Sequence, residues 1–413
     1  MDYWKNQDDE YKNRSEVSYF VYLILYLLTI YVIIWAFTGM WPVFKNNYNS
    51  YALQAKAWLN GHLDLGKDYS YLEIASYGGK YYISFPSFPS YLLLPFTIIF
   101  GSNTPDHMIA LISIIIGSFY AFKLAKLLGR SNESALFWTL FLIGGSNLVF
   151  VSINGWVWFI AQNLAFTLSI SAIYYAVKKK GGIALLLWAC SVGCRPFQIL
   201  YFPILFYILW KSNEEEHRVS IKRFLYRTKL WYAMPIIMGV SYMILNYLRF
   251  GNVFEFGHNY LPEFIEAKDG QFSLDYLSQN IGKLFRLPTM NTDYKIVFPK
   301  FDGVAFWIVS PIFLSYLIYI IYTIVRKEQE NLRINLCIIA IFAIHLTLLA
   351  CHKTLGGWHF GNRYTNDLLA YLFYGLMLII PKKDVTNRIH YPLCLFGIAI
   401  NIVGTIAVYN SWI

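Results

Sequence analysis

The chain has 413 residues, of which 57% are hydrophobic, 19% aromatic and only 14% charged. A soluble domain carries about 25% charged residues, so the composition excludes an ordinary soluble enzyme and predicts a polytopic membrane protein. The net charge of +10 would suggest nucleic acid in a soluble chain. In a membrane protein it reads as lysines and arginines that hold loops on the cytoplasmic side, and no nucleic-acid partner is expected.

The first 16 residues, "MDYWKNQDDEYKNRSE", form a polar tail. The apolar run 17–40 is too long for a signal-peptide core and lacks a small-residue cleavage site, so it predicts an uncleaved first span. About 20 apolar residues cross a bilayer. On that measure the spans are 17–40, 107–128, 135–153, 156–177, 182–194, 197–210, 231–248, 306–325, 334–351, 366–380 and 390–410, eleven in all. The fifth and sixth are short and meet at Arg195-Pro196. Read as a hairpin, they put 12 Lys/Arg in the downstream cytoplasmic loops and eight in the much longer outer loops. Read as one helix, they would invert that bias, so the positive-inside rule selects the hairpin. The chain is then one membrane-embedded domain over 1–413. Its N-terminus (1–16) is cytoplasmic, its C-terminus external, and its two large loops, 41–106 and 249–305, lie outside.

Within the first outer loop stands "YGGKYYISFPSFPSYLLLPF", residues 77–96. Its Gly-Gly pair predicts a turn, and its prolines rule out one straight helix. The apolar piece 90–100 is too short to span and predicts a helix lying in the outer interface against membrane lipids. Tyr81 and Tyr82 are expected to face a cavity. Of the five cysteines, Cys190 and Cys194 sit on one helix face inside an apolar run and read as packing residues. None forms a disulfide or metal pattern.

The order of these segments resembles the GT-C fold glycosyltransferases, which include the lipid A aminoarabinose transferases and protein O-mannosyltransferases. The matching pieces are "NNYNSYALQAKAWLNGHLDL" (46–65), "EIASYGGKYYISFPSFPS" (73–90), "YLLLPFTIIFG" (91–101), "CRPF" (194–197) and "FGNRYTNDLLAYLF" (360–373). The loop sequence "NYLRFGNVFEFGHNY" (246–260) is similar to a pattern of bacterial members. The resemblance implies an all-α polytopic fold with interface helices in the first outer loop. It implies an enzyme that moves a sugar from a polyprenyl-phosphate donor to a glycan, lipid or protein acceptor of the cell envelope. One departure stands out: the family's usual Asp at the start of the first-loop helix is Asn47 here, which cannot accept a proton.

Such a transfer needs cations for the departing phosphate and a carboxylate in reach of the incoming hydroxyl. Twelve acidic residues fall on the outer face, Asp293 and Asp302 among them. Glu73, just before the Gly-Gly turn, is the first candidate for catalysis, and Asp64 in "HLDL" the second, with a cap or turn as its structural alternative. For the phosphate, Arg363 in "GNRY" leads, with Asp367 four residues on as its expected partner. Arg195 is an isolated charge between two short spans and is a functional candidate by position. Lys80 would contact the donor or lipid headgroups. His258, His352 and His359 are outer-face histidines without a recognised ligand spacing. No cofactor is expected, although some GT-C oligosaccharyltransferases use a divalent metal. Trp156 and Trp158 read as interface anchors. The competing class is a transporter or flippase of a lipid-linked glycan precursor. It should show internal repeats and charges inside its spans, whereas no repeat is seen and mid-span charges are nearly absent. A glycan polymerase or ligase of a different fold is a third reading, kept open by the late outer loop 249–305.

Overall fold

The computed structural model describes residues 2–214, 220–292, 294, 296–299, 301, 303–327, 329–381 and 388–412. Asp293 and Asp302 lie outside the described residues, as do parts of the basic loops 211–230 and 381–389. Helix α1 (Asp2–Thr38) enters the bundle, so the expected polar tail continues the first span as helix. The first loop follows: α2 (Ser50–Leu59), strands β1 (Ile74–Tyr77) and β2 (Lys80–Ile83), and α3 (Phe88–Phe100). Then come α4 (Asp106–Leu127), α5 (Asn132–Ile143), α6 (Leu148–Ser152), α7 (Val157–Val177), α8 (Gly181–Val192), α9 (Phe202–Glu214), α10 (Ile221–Arg227) and α11 (Ala233–Phe250). The second loop holds α12 (Pro262–Ile265), α13 (Leu277–Leu284) and a small pair, β3 (Thr289–Met290) and β4 (Ile296–Val297). The chain closes with α14 (Phe306–Val309), α15 (Ile312–Arg326), α16 (Gln329–Ala350), α17 (Leu369–Ile379) and α18 (His390–Tyr409).

The expected apolar spans are largely helical, but the described residues do not confirm a count of eleven. Among the described residues six helices are long and apolar enough to cross a bilayer: Ser15–Thr38, Asp106–Leu127, Val157–Val177, Lys229–Phe250, Asn331–Ala350 and His390–Tyr409. The remaining segments are short or broken. Residues 135–153 split into α5 and α6 where Gly144-Gly145 ends one helix and Ser146 turns the chain. The 306–325 segment breaks at Ser310-Pro311, since Pro311 has no N–H to continue the ladder. Segments 197–210 and 366–380 each begin as a 3₁₀ turn, over Pro196–Tyr201 and Arg363–Leu368.

The helix at the centre is α7, buried on nearly all sides and packed on α4, where Gly117 lets the backbone approach Thr167. Ser113 and Thr167 bond across that contact, a small-residue crossing of the kind that replaces hydrophobic drive between apolar helices. By contrast α11 turns Ile236, Ile237, Ile244 and Leu248 outward.

The segment 77–100 divides as its sequence suggests. Gly78 and Gly79 both sit at positive φ (57° and 74°) and join β1 to β2 in a two-residue hairpin turn that favours glycine. Pro89 lies in the first turn of α3, where its missing N–H costs nothing. This helix is two-sided: Ser90, Leu93 and Thr97 are buried, while Phe96, Ile98, Ile99 and Phe100 are exposed. Ser90 fastens it to α2 by donating to the Tyr51 carbonyl and Gln54.

The helices alternate in direction so that two distinct ends result. At one end Glu16 meets Lys123, and Arg130 meets Ile380. Near them Leu128, Val177, Tyr207, Asn331 and Leu378 surround a small cavity of about 220 Å³. The other end gathers the first loop, the Arg195 turn, the loop after α11 and the loop after α16. That gathering is the hairpin arrangement at Arg195, since a fused helix would have left Arg195 in mid-bundle.

Candidate active site

A cavity of about 640 Å³ opens at this second end. Its walls come from five separated stretches: Tyr51, Glu73 and Phe85 of the first loop, Val157 and Trp158 at the start of α7, and Arg195 to Phe197. The other two are Phe254 to Phe272, and His352 to Tyr364 beyond α16.

Two guanidinium groups form its floor. Arg195 and Arg363 both stand against the ring of Tyr364, at 4.8 and 4.7 Å from its centroid. Arg363 is 5% exposed. Its Nη2 donates to the Gly356 carbonyl at 2.9 Å, and its Nη1 to Gln162 at 3.4 Å. Its Nε has no partner among the described residues. Gly356 sits at φ 107°, and a Cβ there would come within 2.9 Å of that Nε, so glycine lets the loop wrap the guanidinium. Both arginines remain charged at any physiological pH.

The expected Arg363–Asp367 pair does not form. Asp367 instead accepts from Arg195 Nε at 2.9 Å. The reason is local: residues 363–368 are 3₁₀, with about three residues per turn, so positions four apart no longer share a face. Arg363 turns to the cavity and Asp367 turns back to Arg195. Asp367 therefore pairs with Arg195 alone, and Arg363 has no acidic hydrogen-bond partner among the described residues.

Glu73 does line the cavity, half-buried. Its Oε1 accepts the indole N–H of Trp158 at 2.9 Å. Burial pushes this carboxyl above its ordinary range, while the Trp158 N–H and the Arg363 charge pull the other way by favouring the anion. Trp158 is thus more than an interface anchor.

The other expected residues are not brought to the cavity wall. Asp64 accepts from the Gly66 N–H in a tight turn and lies 4.0 Å from the exposed Lys80. Tyr82 is buried against Phe250, and Tyr81 packs beside the first-loop core. Asn47 is exposed, and the residue that does the holding is its neighbour Asn46. Asn46 donates to Asp106 and to the Gly155 carbonyl, pinning the first loop to the starts of α4 and α7. Of the acids, Glu255, Glu263 and Asp269 line the cavity unexpectedly.

Two of the three histidines meet there. His258 and His352 have ring centroids 6.1 Å apart, and His359 is buried outside the lining. His352 Nδ1 donates to the Thr354 carbonyl, and burial pushes its imidazole down to about 4. Among the described residues no three His, Cys, Asp or Glu side chains are grouped to hold a metal ion.

Fold and cavity together define a helical membrane protein with a cavity at one end that is lined by two arginines. The same fold occurs in the crystal structure of the apo oligosaccharyltransferase of Archaeoglobus fulgidus, with a TM-score of 0.50 and 13% identity. The alignment takes in 94% of this chain and 55% of that enzyme, so the chain spans little more than half its length. At that identity the likeness establishes a GT-C-like fold and no particular subgroup. No family model matches the chain, and no curated protein matches it in sequence.

Proposed function

We propose that this protein is a membrane glycosyltransferase that takes a sugar from a polyprenyl-phosphate donor and passes it to a cell-envelope glycan, lipid or protein acceptor. The observation that carries this reading is the Arg195–Tyr364–Arg363 floor, with one buried and one half-buried guanidinium and a single directly bonded carboxylate. Such a pair suits phosphate oxygens, to which guanidinium groups present paired donors. The GT-C-like fold supports the same reading, since the archaeal protein that shares it is an oligosaccharyltransferase.

In the reaction the bond from the anomeric carbon to the phosphate oxygen breaks, and its electron pair stays on the phosphate. Arg195 and Arg363 stabilise that charge as it develops. Ionised Glu73 faces the positive charge that grows on the sugar. A bond forms from the acceptor oxygen to the anomeric carbon, and the acceptor's proton passes to a group in the cavity, for which Glu73 and His258 are available. The exposed apolar face of α3 lies in the outer leaflet in this reading. The basic loops lie on the cytoplasmic side with the N-terminus, and the cavity opens outside.

The test compares envelope glycans of the host, a deletion strain, and the deletion strain carrying Arg363→Met at confirmed wild-type abundance. A sugar that vanishes on deletion and is not restored by Arg363→Met supports the transferase and names the donor sugar. If deletion leaves every glycan unchanged and a lipid-linked precursor collects on the inner leaflet, the protein is a flippase instead.

A further inference from the structure

Of the cavity's groups able to take a proton, Glu73 and His258 have sharply different surroundings. Glu73 already spends one oxygen on the Trp158 N–H. Its charge also favours that of Arg363, and protonation would remove this attraction.

His258 is arranged in the opposite sense. Its Nδ1 lies 3.0 Å from the Ser84 carbonyl, and a carbonyl can only accept, so Nδ1 carries the hydrogen. In the neutral ring Nε2 is then left with its lone pair. No hydrogen bond to Nε2 is formed among the described side chains, and the residue lines the cavity. The ring is wedged by Phe85, Phe256 and Phe264, at centroid distances of 5.9, 5.8 and 5.0 Å. Ser84 ties both candidates to one strand end: its carbonyl takes His258, and its hydroxyl donates to the Glu73 carbonyl. The charged and titratable groups around the ring are Arg195, Arg363, Glu255 and His352. Glu255 is already bound to the Gly257 and Asn259 N–H groups. Burial and the two arginines keep the imidazole below its ordinary value, so it is neutral at pH 7 and able to accept.

We propose that His258, through Nε2, is the proton acceptor for the incoming hydroxyl, with Glu73 staying ionised beside the sugar. This rests on the glycosyltransferase reading. The acceptor O–H bond breaks as its oxygen bonds the anomeric carbon, the proton goes to Nε2, and the electron pair of the donor's C–O bond goes to phosphate. The assignment also fits Asn47: a protein with an imidazole in the cavity does not need the carboxylate that the resemblance places at position 47, which is exposed here and outside the cavity lining.

The experiment uses the full chain in proteoliposomes made with total lipid and envelope extract of the deletion strain. Release of polyprenyl phosphate is followed by mass spectrometry. His258→Asn keeps a side-chain N–H where Nδ1 was, and so the Ser84 bond, but has no Nε2. Its turnover is expected to fall about a hundredfold or more with donor KM unchanged. His258→Ala opens an imidazole-sized space, and added imidazole is expected to restore turnover in proportion to its neutral form. If His258→Asn turns over within threefold of wild type, the proton goes elsewhere and the proposal is overturned. A large loss that imidazole does not relieve in His258→Ala also overturns it, leaving the ring a purely structural role. If the wild-type protein releases no polyprenyl phosphate, the transferase reading itself fails and this assignment falls with it.

Discussion

The two ends of this bundle use the same residue types to opposite effect. At the narrow end Arg130 donates to the carbonyls of Ile380 and Pro381, closing the end of α17, and Lys123 pairs with Glu16 at 2.8 Å. These charges tie helix ends together around a small cavity. At the wide end Arg195 and Arg363 are held by a ring face, a carbonyl and one carboxylate, around a cavity nearly three times larger. A cation spent on backbone carbonyls is structural. A cation held in place by weaker neighbours remains available to a ligand.

The sharpest way to break the comparison is Arg195→Met. It leaves Asp367, 3% exposed, without its counter-charge, and should cost about 3 kcal/mol or more of stability, read as a fall in Tm in detergent. Adding Asp367→Leu should recover most of that loss, since an apolar pair of similar size is often tolerated. If Arg195→Met alone leaves Tm unchanged, the pair is not what holds the floor. Next, Arg363→Met should lower turnover about a hundredfold to a thousandfold, as losing one charge-stabilising donor does elsewhere. Arg130→Met should lower Tm, because two carbonyls lose their donor, while turnover stays within twofold. Equal loss of activity in both variants would erase the distinction between the ends.

Smaller effects sharpen it. Burial raises the Glu73 carboxyl and the Trp158 N–H opposes that rise. If Glu73 must be ionised, activity falls as pH drops through this raised value. Trp158→Phe removes a bond that favours the anion, so the acid limb of the pH–rate profile should move up by about one unit. An unmoved or lowered limb would show that another group sets it. Gly78→Ala introduces a side chain at φ 57° with open space around it, so only backbone strain acts. That should cost about 1 kcal/mol and leave turnover intact. Smallest of all, Asn47→Ala at an exposed position should change neither stability nor turnover measurably.

Much of the scaffold was legible because its signals are local. Apolar runs gave the helices, the Gly-Gly pair gave the hairpin, and Arg195-Pro196 marked a turn between two short segments. Span number was less legible, because helix continuity depends on breaks such as Gly144-Gly145 and Ser310-Pro311 inside runs that stay apolar. Glu73, Arg195 and Arg363 were legible as isolated charges in aromatic or apolar surroundings, and the structure brings all three to one cavity. The partners were not. Arg363 and Asp367 look paired at a helical spacing, and only a 3₁₀ turn separates them. Asn46 and Asn47 are adjacent and chemically identical, and their difference is one of burial. His258, Glu255 and Glu263 reach the cavity because the loop after α11 folds back over the first loop, a non-local event with no mark in its own sequence.

The most direct test of the central claim is binding of a polyprenyl phosphate, without sugar, to the purified protein, titrated by native mass spectrometry for wild type, Arg363→Met and Arg130→Met. We predict saturable binding by wild type and Arg130→Met, weakened at least tenfold in Arg363→Met. Equal binding by all three would contradict the account, because the phosphate would then not be held by the floor of the large cavity.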